Sequence, residues 1–321
     1  MSKLAWSEWQ PLALRLSPGV LAETLDGGQA FRWFSSAEPA TLRSPGEGGR
    51  TNPSTQIWTG SWAGCAAQLR LLGDSLEWRA PAALRATVVS ALPGYLGLDL
   101  DWAALTAALP WRSDAHLAES LAAFPGLRIL RQPFGETLLG FLCSATKQIV
   151  QIKQMCALLA ERHGAKLVEC GAAHAPSGRV EGAAFHRLPT WAELAVVSEK
   201  ELRACLLGFR AGYIHRTAQF LAARPGWLEE TESLPYPAAK ARLLELPGVG
   251  EKVADCVLLF GAGQLAAFPV DTWVLKSLAR RYGLTGWKPA QVAHFGRTHF
   301  GPLAGLAQQY LFAWERKFGG R

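Results

Sequence analysis

No stretch of the 321-residue chain is apolar for long enough to cross a bilayer, which takes about 20 residues. The first ten residues, MSKLAWSEWQ, set Lys3 and Glu8 among tryptophans where a secretory signal would carry an apolar core. A soluble intracellular protein without membrane contact is expected. Cysteine is scarce and scattered: Cys65, Cys143, Cys156, Cys170, Cys205 and Cys256 form no CxxC pair and no Cys/His spacing. A chain of this length builds its cores without disulfide staples, so a disulfide framework and a zinc or iron–sulfur site are not expected, nor is any other cofactor. No repeat of solenoid period is present. An excess of one sign of charge is also missing from the first third, where nine Lys or Arg balance nine Asp or Glu over residues 1–112. The whole net charge of +7 therefore lies in residues 113–321. Such asymmetry points to an anionic partner for that part, nucleic acid being the commonest, although a merely soluble basic surface has the same composition.

With 49% hydrophobic and 18% charged residues the composition is that of an ordinary globular protein, and the length allows about two domains. Residues 1–112 read as an antiparallel sheet domain with one solvated face. Gln29–Phe34 and Ser75–Ala80 alternate apolar with polar side chains, and Gly73-Asp74 marks a hairpin. Residues 38–56, rich in Pro, Gly, Ser and Thr, read as a loop. From about Ser113 the period becomes helical, with Ser113 as the cap of a helix carrying Leu117, Leu121 and Phe124. Ser198 with Glu201 forms a capping box. GETLLGFLC and KQIVQIKQMCALLAERHG are two helices separated by Ser144-Ala145-Thr146, and Ala173–Phe185 is loop-like. The fold class is α+β: a sheet domain over 1–112 and a basic all-α domain over 113–321.

The sharpest segment spans residues 239–263, AKARLLELPGVGEKVADCVLLFGAG. A short helix bearing Leu243, Leu244 and Leu246 meets Pro247, and a second helix starts near Glu251; Gly248, Val249 and Gly250 form the tip between them. Such a helix-hairpin-helix lets backbone N–H groups at the second helix's start hold a DNA phosphate without reading sequence, whereas a plain helical turn would bind nothing. Lys252 lies in the first turn, where it is either a nucleophilic amine, favoured by the positive end of the macrodipole, or a simple phosphate contact. Asp271 precedes TWVLKSLARRYG at an N-cap position. A helix over 251–260 climbs about 15 Å. The seven residues Gln264 to Val270, if extended, reach back about 23 Å, which allows Asp271 to share a site with Lys252.

LPGVGEKVADC with FPVDTW resembles the signature of the helix-hairpin-helix DNA glycosylases, in the 8-oxoguanine DNA glycosylase branch that carries lysine after the hairpin. GGQAFRW, IWTGSW, GFLCSATKQIVQI, LLGFRAGYI and AQQYLF extend the resemblance over nearly the whole chain. It implies a sheet domain like half of the TATA-binding-protein fold, then two helical subdomains with a lesion pocket between them. It also implies a monomer acting on double-stranded DNA that contains a damaged base. No cysteine follows Cys256, so the iron–sulfur cluster of related endonucleases is not expected.

By the same resemblance, Lys252 attacks C1′ of a flipped nucleotide, forms a Schiff base and permits β-elimination, while Asp271 stabilises the cationic sugar. Gly28 matches a glycine whose carbonyl meets the lesion, Gln308 a glutamine on its Watson–Crick edge, and Phe312 with Cys256 the pair that sandwich it. Phe209 and Arg210 match a wedge and a contact to the orphaned cytosine. Three positions depart from the pattern: Thr146 replaces an asparagine, Gln151 a second cytosine-contacting arginine and Trp273 a histidine. The resemblance implies excision of 8-oxoguanine and cleavage of the abasic site. A glycosylase for another damaged base and a non-catalytic DNA-binding module stand beside that reading.

Overall fold

The computed structural model describes residues 5–37, 56–169 and 184–319. Strands β1 (Gln10–Arg15), β2 (Trp33–Ala37), β3 (Gln56–Trp62), β4 (Cys65–Leu72) and β5 (Ser75–Arg79) form one antiparallel sheet in the order β1-β5-β4-β3-β2, with helix α1 (Pro18–Asp26) between the first two. The expected hairpin at Gly73-Asp74 is present: Leu72 pairs with Ser75 across it, and Gly73 takes the positive φ that such a tight turn needs. Trp33 lies over its cross-strand partner Gly60, where a Cβ would come within 2.3 Å of the indole. Glycine is what lets the ring lie flat on the sheet. The wholly buried indole stacks on Trp62 at 5.7 Å and donates its N–H to the Tyr95 hydroxyl at 2.9 Å, which fastens α2 (Arg85–Tyr95) to the sheet.

The sheet departs from the sequence reading in two ways. Residues 29–32 are not strand, because the buried Gln29 and the half-buried Arg32 spend their side chains on distant partners. Arg32 donates to Ser61 Oγ and to the carbonyls of Cys156 and His186, so the alternation around it is not that of a solvated strand. Nor does the centre of the sheet have a solvated face: β3 is buried from Ile57 to Trp62 and β4 from Cys65 to Leu69. One face packs on the main core, while on the other Ala66 meets Phe185 of a two-stranded ribbon, β6 (Lys166–Glu169) with β7 (Ala184–His186). Ala184 and Phe185 are thus strand rather than loop, and residues 173–183 lie outside the described residues, as do 38–55 of the other expected loop.

Helices α3 (Trp102–Ala107), α4 (Ala115–Ala123), α5 (Phe134–Leu142) and α6 (Ile149–His163) precede the ribbon's second strand. After it come α7 (Trp191–Ala195), α8 (Glu199–Leu202), a π-turn over Arg203–Leu207, α9 (Arg210–Ala222), α10 (Trp227–Ser233), α11 (Tyr236–Leu243), α12 (Glu251–Phe260), α13 (Thr272–Arg281), α14 (Pro289–Phe300) and α15 (Ala304–Phe318). Helix therefore begins well before Ser113. The cap of α4 is Asp114, whose Oδ1 accepts from Leu117 N–H at 2.9 Å, while Ser113 turns its hydroxyl to the Pro110 carbonyl. Burial pushes the Asp114 carboxyl up, but hydrogen bonds from Leu117, His299 and Tyr282 outweigh it and hold the group below its usual range. A charged acceptor one residue on wins the cap from a hydroxyl. The Ser198–Glu201 capping box forms as expected. One continuous core runs from Leu14 to Ala313, so sheet and helices share it.

Glu136, in the first turn of α5, accepts from Ala63 N–H at 2.8 Å and so pins the β3–β4 turn to the helices. Burial pushes its carboxyl up to about 7, against the pull of Arg32, the Ala63 N–H and Arg187. A folded-state value above the unfolded one means that the folded protein holds a proton which the unfolded chain has shed. This contribution to stability is complete below about pH 4.5 and is lost as pH rises towards 7. Glu136→Gln keeps an acceptor for Ala63 and should remove that slope, leaving the variant on the order of 2 kcal/mol more stable than the parent at pH 8 and near parity at pH 4.5. Denaturant titrations at the two pH values check this, and equal gains at both would place the effect elsewhere.

Candidate active site

The hairpin forms where the sequence places it, although its first helix ends at Leu243 and Leu244 and Leu246 belong to the turn. Gly248 has φ +81, and a Cβ there would lie 2.6 Å from the Tyr213 ring, so this glycine serves close packing on α9. Gly250 is different: a Cβ at this position meets nothing, which leaves the start of α12 open to a ligand. Val249 is buried between them. Beneath the tip, Lys240 of α11 reaches Asp255 at 3.0 Å and Glu251 at 2.6 Å, and the Tyr236 hydroxyl donates to Asp255 at 2.7 Å. The two hairpin helices are thereby clamped through an almost wholly buried carboxylate.

Lys252 emerges half-buried from the first turn of α12. Its Nζ donates to Ser144 Oγ at 3.3 Å and sits 4.8 Å from the centre of the Phe141 ring. Ser144 in turn donates to the Phe141 carbonyl at 2.7 Å, which orients its lone pairs towards the amine. One helical turn on, burial pushes the Cys256 thiol up to about 12; Lys252 opposes the shift, while Asp271 and Asp255 add to it. Cys256 therefore presents a neutral thiol and lies within electrostatic reach of both Lys252 and Asp271. The chain returns from α12 through a turn at 264–267, with Ala267 N–H donating to the Gln264 carbonyl, and reaches Asp271 at the cap of α13. Asp271 Oδ1 accepts from Trp273 and Val274 N–H, each at 2.9 Å, and the second carboxylate oxygen has no partner among the described residues.

Gly28 and Phe312, 284 positions apart, are brought together by the fold. Gly28 has φ +98, and a Cβ there would lie 3.3 Å from Ile149 and 3.8 Å from the Phe312 ring. The Gly28 peptide is held from the next residue: Gln29 donates to the Arg128 carbonyl at 2.9 Å, accepts from Leu130 N–H at 2.9 Å, and receives Gln132 on its own carbonyl at 2.7 Å. Gln308 and Phe312 share α15; Gln308 is buried and accepts from Gln309 at 2.7 Å. Ser144, Gln29 and Ile149 escape a sequence reading. Ser144 looks like a helix breaker, and the work of Gln29 depends on partners about a hundred residues away.

The residues matched to the opposite strand are placed differently. Phe209 is exposed. Arg210, by contrast, is only 2% exposed: it donates to the carbonyls of Leu207 and Ala145 and, at 3.0 Å, to Thr146 Oγ1. As it stands it is a strut between two loops rather than an outward-facing fork. Gln151 closes the capping box of α6 by accepting from Gln148 N–H at 3.2 Å. Thr146 is exposed, in the left-handed region at φ +55, and Trp273 is exposed at the start of α13.

The N-terminal domain model of 8-oxoguanine DNA glycosylase matches residues 12–138. Over 217 residues, 64% of this chain, it is 36% identical to the Arabidopsis thaliana N-glycosylase/DNA lyase OGG1, and the match spans 56% of that protein's length. Over 221 residues, again 64% of the chain, it is 30% identical to a probable N-glycosylase/DNA lyase of Methanothermobacter thermautotrophicus, and the match spans 69% of that relative. The structure superposes with a TM-score of 0.77 at 27% identity on Clostridium acetobutylicum 8-oxoguanine glycosylase/lyase in complex with double-stranded DNA containing cytosine opposite 8-oxoguanine, covering 98% of this chain and 99% of that one. Hairpin, half-buried lysine, capping aspartate and these likenesses agree: the chain belongs to the 8-oxoguanine glycosylase family of helix-hairpin-helix DNA glycosylases.

Proposed function

We propose that this protein excises 8-oxoguanine from duplex DNA and then cleaves the abasic strand by β-elimination, a base-excision repair activity. The observation that carries the reading is the Lys252 amine, half-buried in the first turn of α12 and held by Ser144, with Cys256 within electrostatic reach of both it and Asp271. The Nζ lone pair forms a bond to C1′ as the glycosidic bond breaks and its electrons leave with the base. Asp271 stabilises the positive charge that grows on the sugar. The sugar ring then opens as C1′–O4′ breaks, O4′ taking up the proton the amine gives off, which leaves an iminium; loss of a C2′ proton from it expels the 3′ phosphate, and water releases the lysine. No metal or cofactor enters these steps, and every group needed comes from one chain. Gly250 and its neighbours hold a phosphate at the start of α12, while Gln308, Phe312 and Cys256 form walls for the extruded base. With Arg210 turned inward and the exposed Gln151, occupied in the α6 capping box, standing where a second arginine is usual, weak preference for the base opposite is part of the reading.

Excision and borohydride trapping on duplexes carrying different lesions test it. Excision and trapping on the 8-oxoguanine duplex are expected. Trapping without 8-oxoguanine excision would assign another lesion, and binding with neither would leave a DNA-binding module.

Gly28 supplies the lesion sensor. N7 is an acceptor in guanine but carries a proton in 8-oxoguanine, so the fixed Gly28 carbonyl attracts one base and repels the other. Gly28→Val places a branched side chain at φ +98 against Ile149 and Phe312. Excision of 8-oxoguanine should fall at least about tenfold more than cleavage of a pre-formed abasic site, which has no base to seat. Equal losses in a folded variant would make Gly28 a turn residue only.

A further inference from the structure

We propose that Leu206 is a second apolar wedge, entering the base stack beside Phe209 when the duplex binds. The inference rests on the reading of duplex DNA as substrate. Leu206 sits inside the π-turn at φ 64, ψ 15, a conformation that suits glycine and that an L side chain rarely adopts. Among the described residues no burial of the side chain repays that strain. Leu206 is 53% exposed, whereas its neighbours Cys205 and Leu207 are wholly buried and already anchor the turn. A glycine in its place would meet the backbone requirement without cost, so the leucine side chain answers to something outside the chain.

The position of the turn says what that is. Leu206 and Phe209 are equally exposed and flank Gly208, itself at φ +56, so one loop carries two large apolar ends into solvent. The loop is fastened to the nucleophile's neighbourhood. Arg210 binds the Leu207 carbonyl on its own side, and on the other the Ala145 carbonyl and Thr146 Oγ1. Thr146 is likewise a non-glycine residue in the left-handed region, and Ser144, two residues before it, holds Lys252. A rigid pair of apolar ends at a fixed offset from the amine is what opening a base stack at the reactive nucleotide requires. Leucine and phenylalanine are side chains that wedge between base steps.

The test uses Leu206→Gly and Leu206→Asn, since both residues accept the left-handed conformation and lack the apolar end. Each should melt no lower than the parent. Single-turnover excision from the 8-oxoguanine duplex should fall about tenfold more than cleavage of an abasic site in a single-stranded oligonucleotide, which has no stack to open. The fluorescence rise of a 2-aminopurine placed beside the lesion should shrink in parallel. Parental duplex rates in both variants overturn the proposal. So do equal losses on the two substrates, which would mean that the turn merely shapes the site or serves another partner. A parent inert on the duplex would instead overturn the function itself, and this inference with it.

Discussion

Lys252→Gln is expected to bind duplex DNA as the parent does while losing excision and borohydride trapping, each by roughly a thousandfold or more. The two halves of this outcome come from different atoms. On the proposed function, binding rests on the backbone at the hairpin tip and on the clamp beneath it, which is built from Lys240, Tyr236, Glu251 and Asp255 and does not involve Lys252. Glutamine reaches towards Ser144 and tolerates the half-buried start of α12, so the melting temperature should hold. What disappears is the lone pair that bonds to C1′, and with it the iminium that borohydride reduces. An adduct of parental yield from the variant would take the nucleophile's role away from Lys252.

Asp271→Asn separates charge from shape at the other reactive position. Oδ1 of Asp271 caps α13 through two N–H groups, and an asparagine carbonyl makes the same bonds. Capping is worth about 1 kcal/mol and asparagine caps nearly as well as aspartate, so stability should change by well under that amount. Excision should nevertheless fall about a hundredfold, because the charge facing the cationic sugar is gone. Asp271→Ala should combine the same kinetic loss with the full capping cost. Comparing single-turnover rates with denaturant midpoints for the two variants checks both parts. A folded Asp271→Asn that excises at the parental rate would leave Asp271 as a helix cap alone.

What was legible in the sequence is what local chemistry dictates. The Pro-Gly-x-Gly tip between two apolar helical stripes, the Gly73-Asp74 hairpin and the Ser198–Glu201 box each rest on a few consecutive residues. Asp271 came within reach of Lys252 by chain length, while Gly28 and Phe312 were brought together only by family resemblance. The misreadings share one cause. Gln29 and Arg32 look like the polar side of a strand until Arg128, Leu130, Cys156 and His186 claim their side chains. Ser113 looks like a cap until Tyr282 and His299 bury the carboxylate of Asp114. Partners about a hundred positions away or more decide those cases, and no short-range pattern carries them. The inward turn of Arg210 has the same origin, in a loop over sixty residues upstream.

The meeting of Gly28 with Phe312 has a consequence for biosynthesis. Gly28 and Phe312 are separated by 284 positions, so at about 5–20 residues per second the first waits about 15–60 s for the second. During that time α1 lacks the Arg316 that pairs with Glu23 at 3.0 Å, and burial is already raising that carboxyl in the finished protein. A nascent chain can hold both partners of the Trp33–Trp62 stack before Phe312 exists, and on the proposed function such a chain would not discriminate a damaged base. On the proposed function, lesion recognition is therefore switched on only once α15 is made, and a chain released before it would carry the hairpin and Lys252 without Phe312.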